Sequence, residues 1–156
     1  MPKFHTDALD RKILRNLQND GRMTNQNLAQ LVGLSPSPCL RRVRALEEGG
    51  VIAGYVALVN PEAVGLAATA FVRVRLDQQD DGRLTHFETA IAGFPEVMEC
   101  YLMTGEADYQ LRVTVGSLGE FEDFLRYKLT RIAGVAQVTT SFALRPVVYR
   151  TALPLD

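Results

Sequence analysis

Apolar positions recur at two different periods along the chain, and the change of period divides it. In "TDALDRKILRNLQNDG", Leu9, Ile13, Leu14 and Leu17 stand at helical spacing and Asp20-Gly21 stops the pattern. In "TNQNLAQLVGLS", Thr24 predicts an N-cap, Leu28, Ala29 and Leu31 supply an apolar face, and residues 32–35 predict a tight turn. A third helix follows in "SPSPCLRRVRALEEGG". Ser35 caps it. Pro36 takes the first position, where a missing amide hydrogen costs nothing, and Pro38 still lies among the orphan amides of the first turn. Gly49-Gly50 ends it. At 100° per residue, Cys39, Leu40, Val43 and Leu46 share one arc, and Ser37, Pro38, Arg41, Arg42, Arg44 and Ala45 the opposite one. "VIAGYVALV" has strand character, so the first module reads as short helices closed by a strand pair.

Asn60-Pro61 punctuates the chain, and beyond it the period changes. "TAFVRVRLD" alternates, with Val72, Val74 and Leu76 on one side and Phe71, Arg73 and Arg75 on the other. "DGRLTHFETAIAGFP" returns to helical spacing through Leu84, Phe87 and Ile91. "VMECYLMT" and "DYQLRVTV" are strands joined at "GEA". "SLGEFEDFLRYKLTRIAG" predicts one helix, opened by the capping box of Ser117 and Glu120 and buried through Phe121, Phe124, Leu125, Leu129 and Ile132. "VAQVTTSFAL" is a last strand. The order βαββαβ is the ferredoxin-like split unit, giving an α+β protein with modules at 1–60 and 61–156. Its antiparallel sheet keeps one face free of helices. With Tyr101 and Met103 placed there, that face predicts a partner, most simply a second copy.

Charge sharpens this division. The chain of 156 residues carries −1 overall. Residues 1–60 hold eight Lys/Arg against five Asp/Glu (8 − 5 = +3), and residues 61–156 hold nine against thirteen (9 − 13 = −4). A basic front module is the kind that faces a polyanion. No apolar run reaches the roughly 18 residues of a membrane span, and the first residues lack the apolar stretch of a signal peptide. Two cysteines and two histidines stand in no metal-ligand spacing, and no nucleophile–base pair or phosphate loop is visible, so neither a metal, a cofactor nor catalysis is expected. The cytoplasm, with Cys39 and Cys100 reduced, is the expected compartment.

A short helix, a tight turn and a basic helix with bare polar groups at its start form the pattern of a helix-turn-helix. Arginines on a solvated helix face serve solubility equally well, and the helix alone leaves both readings open. The basic bias of the whole module tips the balance toward DNA.

The stretches "LDRKILRNLQNDGR", "LAQLVGLSPSPCLRRVRALEEGGVIAGYVALVNP" and "TGEADYQLRV" resemble the leucine-responsive regulatory protein/AsnC family of transcription regulators. The resemblance spans nearly the whole chain. It implies an N-terminal winged helix-turn-helix joined to a C-terminal ferredoxin-like effector and assembly domain. It further implies dimers that stack into octamers or similar rings, binding to double-stranded promoter DNA, and a response to a small effector, usually an amino acid. Carried over residue by residue, Ser35 starts the recognition helix and Ser37, Pro38, Arg41 and Arg42 match positions facing DNA. Arginine there reads guanine or holds a phosphate. Arg44, farther along, is expected on phosphate, and Thr24 and Asn25 offer amides and side chains to the backbone. The family's effector site lies near a hairpin that reads Gly105-Glu106-Ala107-Asp108-Tyr109 here, with Glu106 replacing the usual aspartate. Met103, Thr104 and Tyr109 would flank the ligand. Asp108 would meet an ammonium, Gly105 would let backbone approach, and Thr140 would offer a hydroxyl. Read without the resemblance, the same segment is an ordinary hairpin turn, and the parity Thr140 shares with Val138 and Phe142 also suits a buried structural threonine. An architectural DNA-binding protein without effector is the alternative function.

Overall fold

Helix α1 (Ala8–Asn19) begins at Asp7, whose carboxylate accepts from the Asp10 amide at 2.8 Å while Asp10 accepts from the Asp7 amide at 3.1 Å. The two orphan donors of the first turn are thereby satisfied reciprocally. Thr24 caps α2 (Asn25–Val32), and Gly33 closes it at φ 80°, a conformation glycine adopts without a steric penalty. Two residues later Ser35 opens α3 (Pro36–Glu48). Ile13, Leu28, Val32, Cys39 and Leu46 meet between the three helices and are almost wholly buried. Each such large apolar side chain contributes about 1.5–3 kcal/mol by leaving water.

The computed structural model describes residues 5–155. The chain forms two compact units: residues up to Leu58 together with those from Val147 onward, and Val59–Pro146. This differs from the sequence division at 60/61 with everything beyond in the second module. Residues from Val147 onward pack with the first unit because Gln18 accepts from the Leu153 amide at 2.6 Å and donates to the Leu153 carbonyl at 3.2 Å, and Leu155 lies on the helix core. Nor do residues 53–60 form the expected strand. A strand exists only through its ladder, and no described segment pairs with them. Val56, Leu58 and Val59 are consequently exposed.

The second unit runs β1 (Ala68–Leu76), α4 (Asp81–Ala92), β2 (Val97–Leu102), β3 (Tyr109–Val115), α5 (Leu118–Asp123) and β4 (Val135–Phe142), preceded by a 3-10 turn at Glu62–Val64. The sheet order is β2-β3-β1-β4, with β1 antiparallel to β3 and to β4. This is the ferredoxin-like arrangement that the element order predicts. Val72, Val74, Leu111 and Val113 bury one sheet face under Phe87, Ile91, Phe124 and Leu129. The single helix expected after Ser117 is interrupted. Past α5 the backbone widens into a π turn (Phe124–Lys128) and tightens into a 3-10 turn (Leu129–Arg131). The Thr130 hydroxyl donates to the Leu125 carbonyl at 2.9 Å, five residues back, matching the wide turn.

Candidate nucleic-acid interface and effector cavity

The start of α3 is held by α2. Asn25 Nδ2 donates to the Pro36 carbonyl at 2.9 Å, so Asn25 spends its amide on joining the two helices. Thr24 accepts from the Asn27 amide at 3.2 Å. Ser35 occupies the N-cap position without a side-chain cap bond, and Ser37 stands exposed in the first turn.

Arg41 and Arg44 are exposed and form no ion pair among the described residues. Arg42 departs from the expectation. Its Nη1 lies 2.7 Å from Asp7 Oδ2 and 2.8 Å from Asp10 Oδ1, bridging the two carboxylates of the α1 capping box. Those bonds, Asp10 first, hold the guanidinium charge more firmly. The Asp7 carboxyl is held below its ordinary range by the Asp10 amide and then by Arg42. Arg42 therefore ties α3 to α1 and is spent inside the unit. Leu40, expected in the core, is 38% exposed. The spacing 37, 40, 41, 44 sets Ser37, Leu40, Arg41 and Arg44 on one face of α3. That face combines a hydroxyl, an apolar side chain and two cations, the set that meets phosphates, base edges and thymine methyl groups in a major groove.

In the second unit, the hairpin loop and the helix-free sheet face line a half-open cavity of about 430 Å³. Gly105, Glu106 and Ala107 line it from the loop, Arg73, Arg75 and Gln79 from β1 and its continuation, and Gln137 and Thr139 from β4. Gly105 sits at φ 116°, a conformation glycine adopts without a steric penalty. Met103 and Thr104, expected to flank the ligand, are exposed and are not among the residues that line it.

Three more expected site residues lie elsewhere. Asp108 is 6% exposed, and its Oδ2 accepts from the Leu76 amide at 2.6 Å while Oδ1 accepts from Gln79 Nε2 at 2.5 Å. The β1–β3 ladder ends at Val74 and Tyr109, so the carboxylate serves the next β1 amide in place of a strand neighbour. Tyr109 is buried against Phe87 with ring centroids 4.5 Å apart, and its hydroxyl donates to Glu88 at 2.8 Å. Burial and then Glu88 push that phenol above its ordinary value. Thr140 pairs opposite Val72, a core residue, and residues directly opposed across a ladder share a face. Thr140 thus turns toward the helices, and Thr139, opposite Arg73, faces the cavity.

The cavity residues that the motif did not provide are Arg73, Arg75, Gln79, Gln137 and Thr139. For two of them the signal was the alternation of β1, which already set Arg73 and Arg75 on the face away from Val72 and Val74. The same face exposes Phe71, Tyr101 and Met103.

Comparison with known proteins joins both units to one lineage. Residues 69–153 match the Lrp/AsnC ligand binding domain, and residues 6–53 match a winged helix-turn-helix DNA-binding domain. The chain is 48% identical over 149 residues to the Bkd operon transcriptional regulator of Pseudomonas aeruginosa, covering 96% of this chain and 97% of that protein. The chain belongs to the Lrp/AsnC family of transcription regulators. Another member, the leucine-responsive regulatory protein of Rhizobium meliloti, is 47% identical over 93% of both chains. Among solved Lrp/AsnC-type structures, a Neisseria meningitidis transcriptional regulator in complex with L-Met superposes with a TM-score of 0.93 at 39% identity, covering 97% of this chain and 98% of that one. This Lrp/AsnC chain is accordingly a DNA-binding regulator with a ligand-binding domain. None of its described helices is long and apolar enough to cross a membrane.

Proposed function

We propose that the chain is a sequence-specific regulator of promoter DNA whose DNA binding and self-assembly respond to an amino acid held at the hairpin cavity. The observation that carries this reading is the cavity itself, a polar recess of about 430 Å³ in the family's ligand-binding domain. An amino acid brings an ammonium and a carboxylate, and each must find a partner on leaving water. Glu106 suits the ammonium, since Asp108 is occupied. The arginines, Gln137 and Thr139 suit the carboxylate. The Neisseria relative crystallised with L-Met lends the class of ligand. The exposed aromatic face of Phe71 and Tyr101 suits a second copy, and the family pattern carries such dimers on to octamers or similar rings.

DNA recognition rests on the Ser37, Leu40, Arg41 and Arg44 face. Arg41→Ala and Arg44→Ala are each expected to flatten the plot of log affinity against log salt by about 0.9 where the lost contact is a phosphate. Where one of them reads a base, its loss costs about 1–3 kcal/mol on the preferred site and little on random DNA. Binding unchanged in the double variant overturns the interface. Thermal melting against the common amino acids tests the effector. A ligand at a hundred times its dissociation constant adds about 2.7 kcal/mol to the stability of its site. No shift with any amino acid would favour the architectural alternative.

A further inference from the structure

The walls of the cavity say what kind of amino acid they suit. We propose that the ligand is an acidic α-amino acid, with Arg73 and Arg75 receiving its two carboxylates and Glu106 its ammonium. This rests on the reading that the effector sits at the hairpin. Three observations carry it.

The first is composition. Of the eight lining residues only Ala107 has an apolar side chain. A leucine- or methionine-like side chain would lose water here and gain no apolar wall. The second is the state of the arginines. Arg83, Arg112 and Lys128 of the same unit are ion-paired with Asp77, Glu99 and Glu96, whereas Arg126, Arg131 and Arg145, outside the cavity, form no ion pair among the described residues. Arg73 and Arg75 are exposed and form no ion pair among the described residues. Two residues apart on a strand, they rise about 6–7 Å from one to the other on the same face. That separation suits the two ends of a small dicarboxylate. Guanidinium is also the side chain whose paired donors match a carboxylate.

The third is charge. Two guanidiniums and the Glu106 carboxylate leave the wall at +1 (2 − 1), and Glu106 is the only acidic lining residue. A neutral amino acid is a zwitterion and leaves that charge unbalanced. An acidic one carries −1 and closes the sum to zero. Gln79, Gln137 and Thr139 supply neutral hydrogen bonds around the pair.

The test uses the full chain, with L-glutamate and L-aspartate against L-leucine and L-methionine at matched ionic strength, read by thermal melting and titration calorimetry. Glutamate or aspartate is expected to raise the melting temperature. Arg73→Met and Arg75→Met should each weaken that binding about ten-fold or more, the cost of one charged hydrogen-bonded contact. Arg75→Gln, shorter and polar, serves where a methionine variant melts below the wild type without ligand. Shifts from leucine or methionine but from neither acidic amino acid overturn this proposal and leave the amino-acid effector standing. No shift from any amino acid overturns both. An acidic shift that survives in the Arg73→Met/Arg75→Met protein places the ligand elsewhere and also overturns the proposal.

Discussion

Asp108→Ala separates a structural carboxylate from a ligand-binding one. Removing this side chain leaves the Leu76 amide without its acceptor, at a position where Leu76 is 4% exposed. A buried donor left unsatisfied costs about 1–3 kcal/mol. The Gln79 contact is lost with it, a smaller term because Gln79 is at the surface. The expected total is about 2–3 kcal/mol. The unit Val59–Pro146 has 88 residues (146 − 59 + 1), and for that size each kcal/mol moves the midpoint by about 4–8 °C. Calorimetry on the ligand-free full chain should therefore show its transition about 10–20 °C lower, with the transition of the helical unit unmoved. Asp108→Asn keeps an acceptor for the Leu76 amide, and its NH₂ donates to Gln79 once that amide is turned. Its cost should stay below about 1 kcal/mol. An alanine variant that melts with the wild type would refute the structural role. An asparagine variant as damaged as alanine would show that charge, not the acceptor position, is what the site needs.

The remaining predictions concern the helical unit and the division of the chain. Arg42→Met should lower the stability of the helical unit by about 1 kcal/mol, discounted for partial exposure, and leave the salt dependence of DNA binding unchanged, as chemical denaturation and DNA titration will show. Because the Asp7 carboxyl is lowered in the folded state, its contribution is present above its unfolded value and is lost as pH falls below about 4. The loss of stability on acidification should accordingly be shallower in Arg42→Met, measured by denaturation between pH 3 and pH 6, a range set by the ordinary carboxylate value of about 4. A fragment covering residues 59–146 should fold alone, since its sheet and helices bury their own apolar faces, and circular dichroism with a cooperative melt will check it.

Local chemistry in this chain was legible wherever a short stretch decides the outcome. The caps at Thr24 and Ser117, the turn at Gly33 and the alternation of Val72, Val74 and Leu76 each follow from neighbours a few residues away. What escaped depends on contacts across the fold. Arg42 looks like its exposed neighbours until α1 brings Asp7 and Asp10 to it from more than thirty residues away. Leu40 lies at the edge of the apolar arc, where 100° counting cannot separate core from surface. Thr139 and Thr140 are adjacent on a strand whose alternation is weak, so only pairing with β1 decides which one faces the cavity. Asp108 reads as a turn residue, and its partner Leu76 is thirty-two positions back.

The return of residues from Val147 onward to the helical unit has a consequence for synthesis. Synthesis of the last piece of that unit begins 89 residues after Leu58 (147 − 58), and translation at about 5–20 residues per second makes this a wait of about 4–18 s. During it the three helices exist without the Gln18–Leu153 pairing and without Leu155 on their core. The ferredoxin-like unit is complete in sequence before the helical one. The helical unit can therefore be finished only after the whole of the second unit has been made.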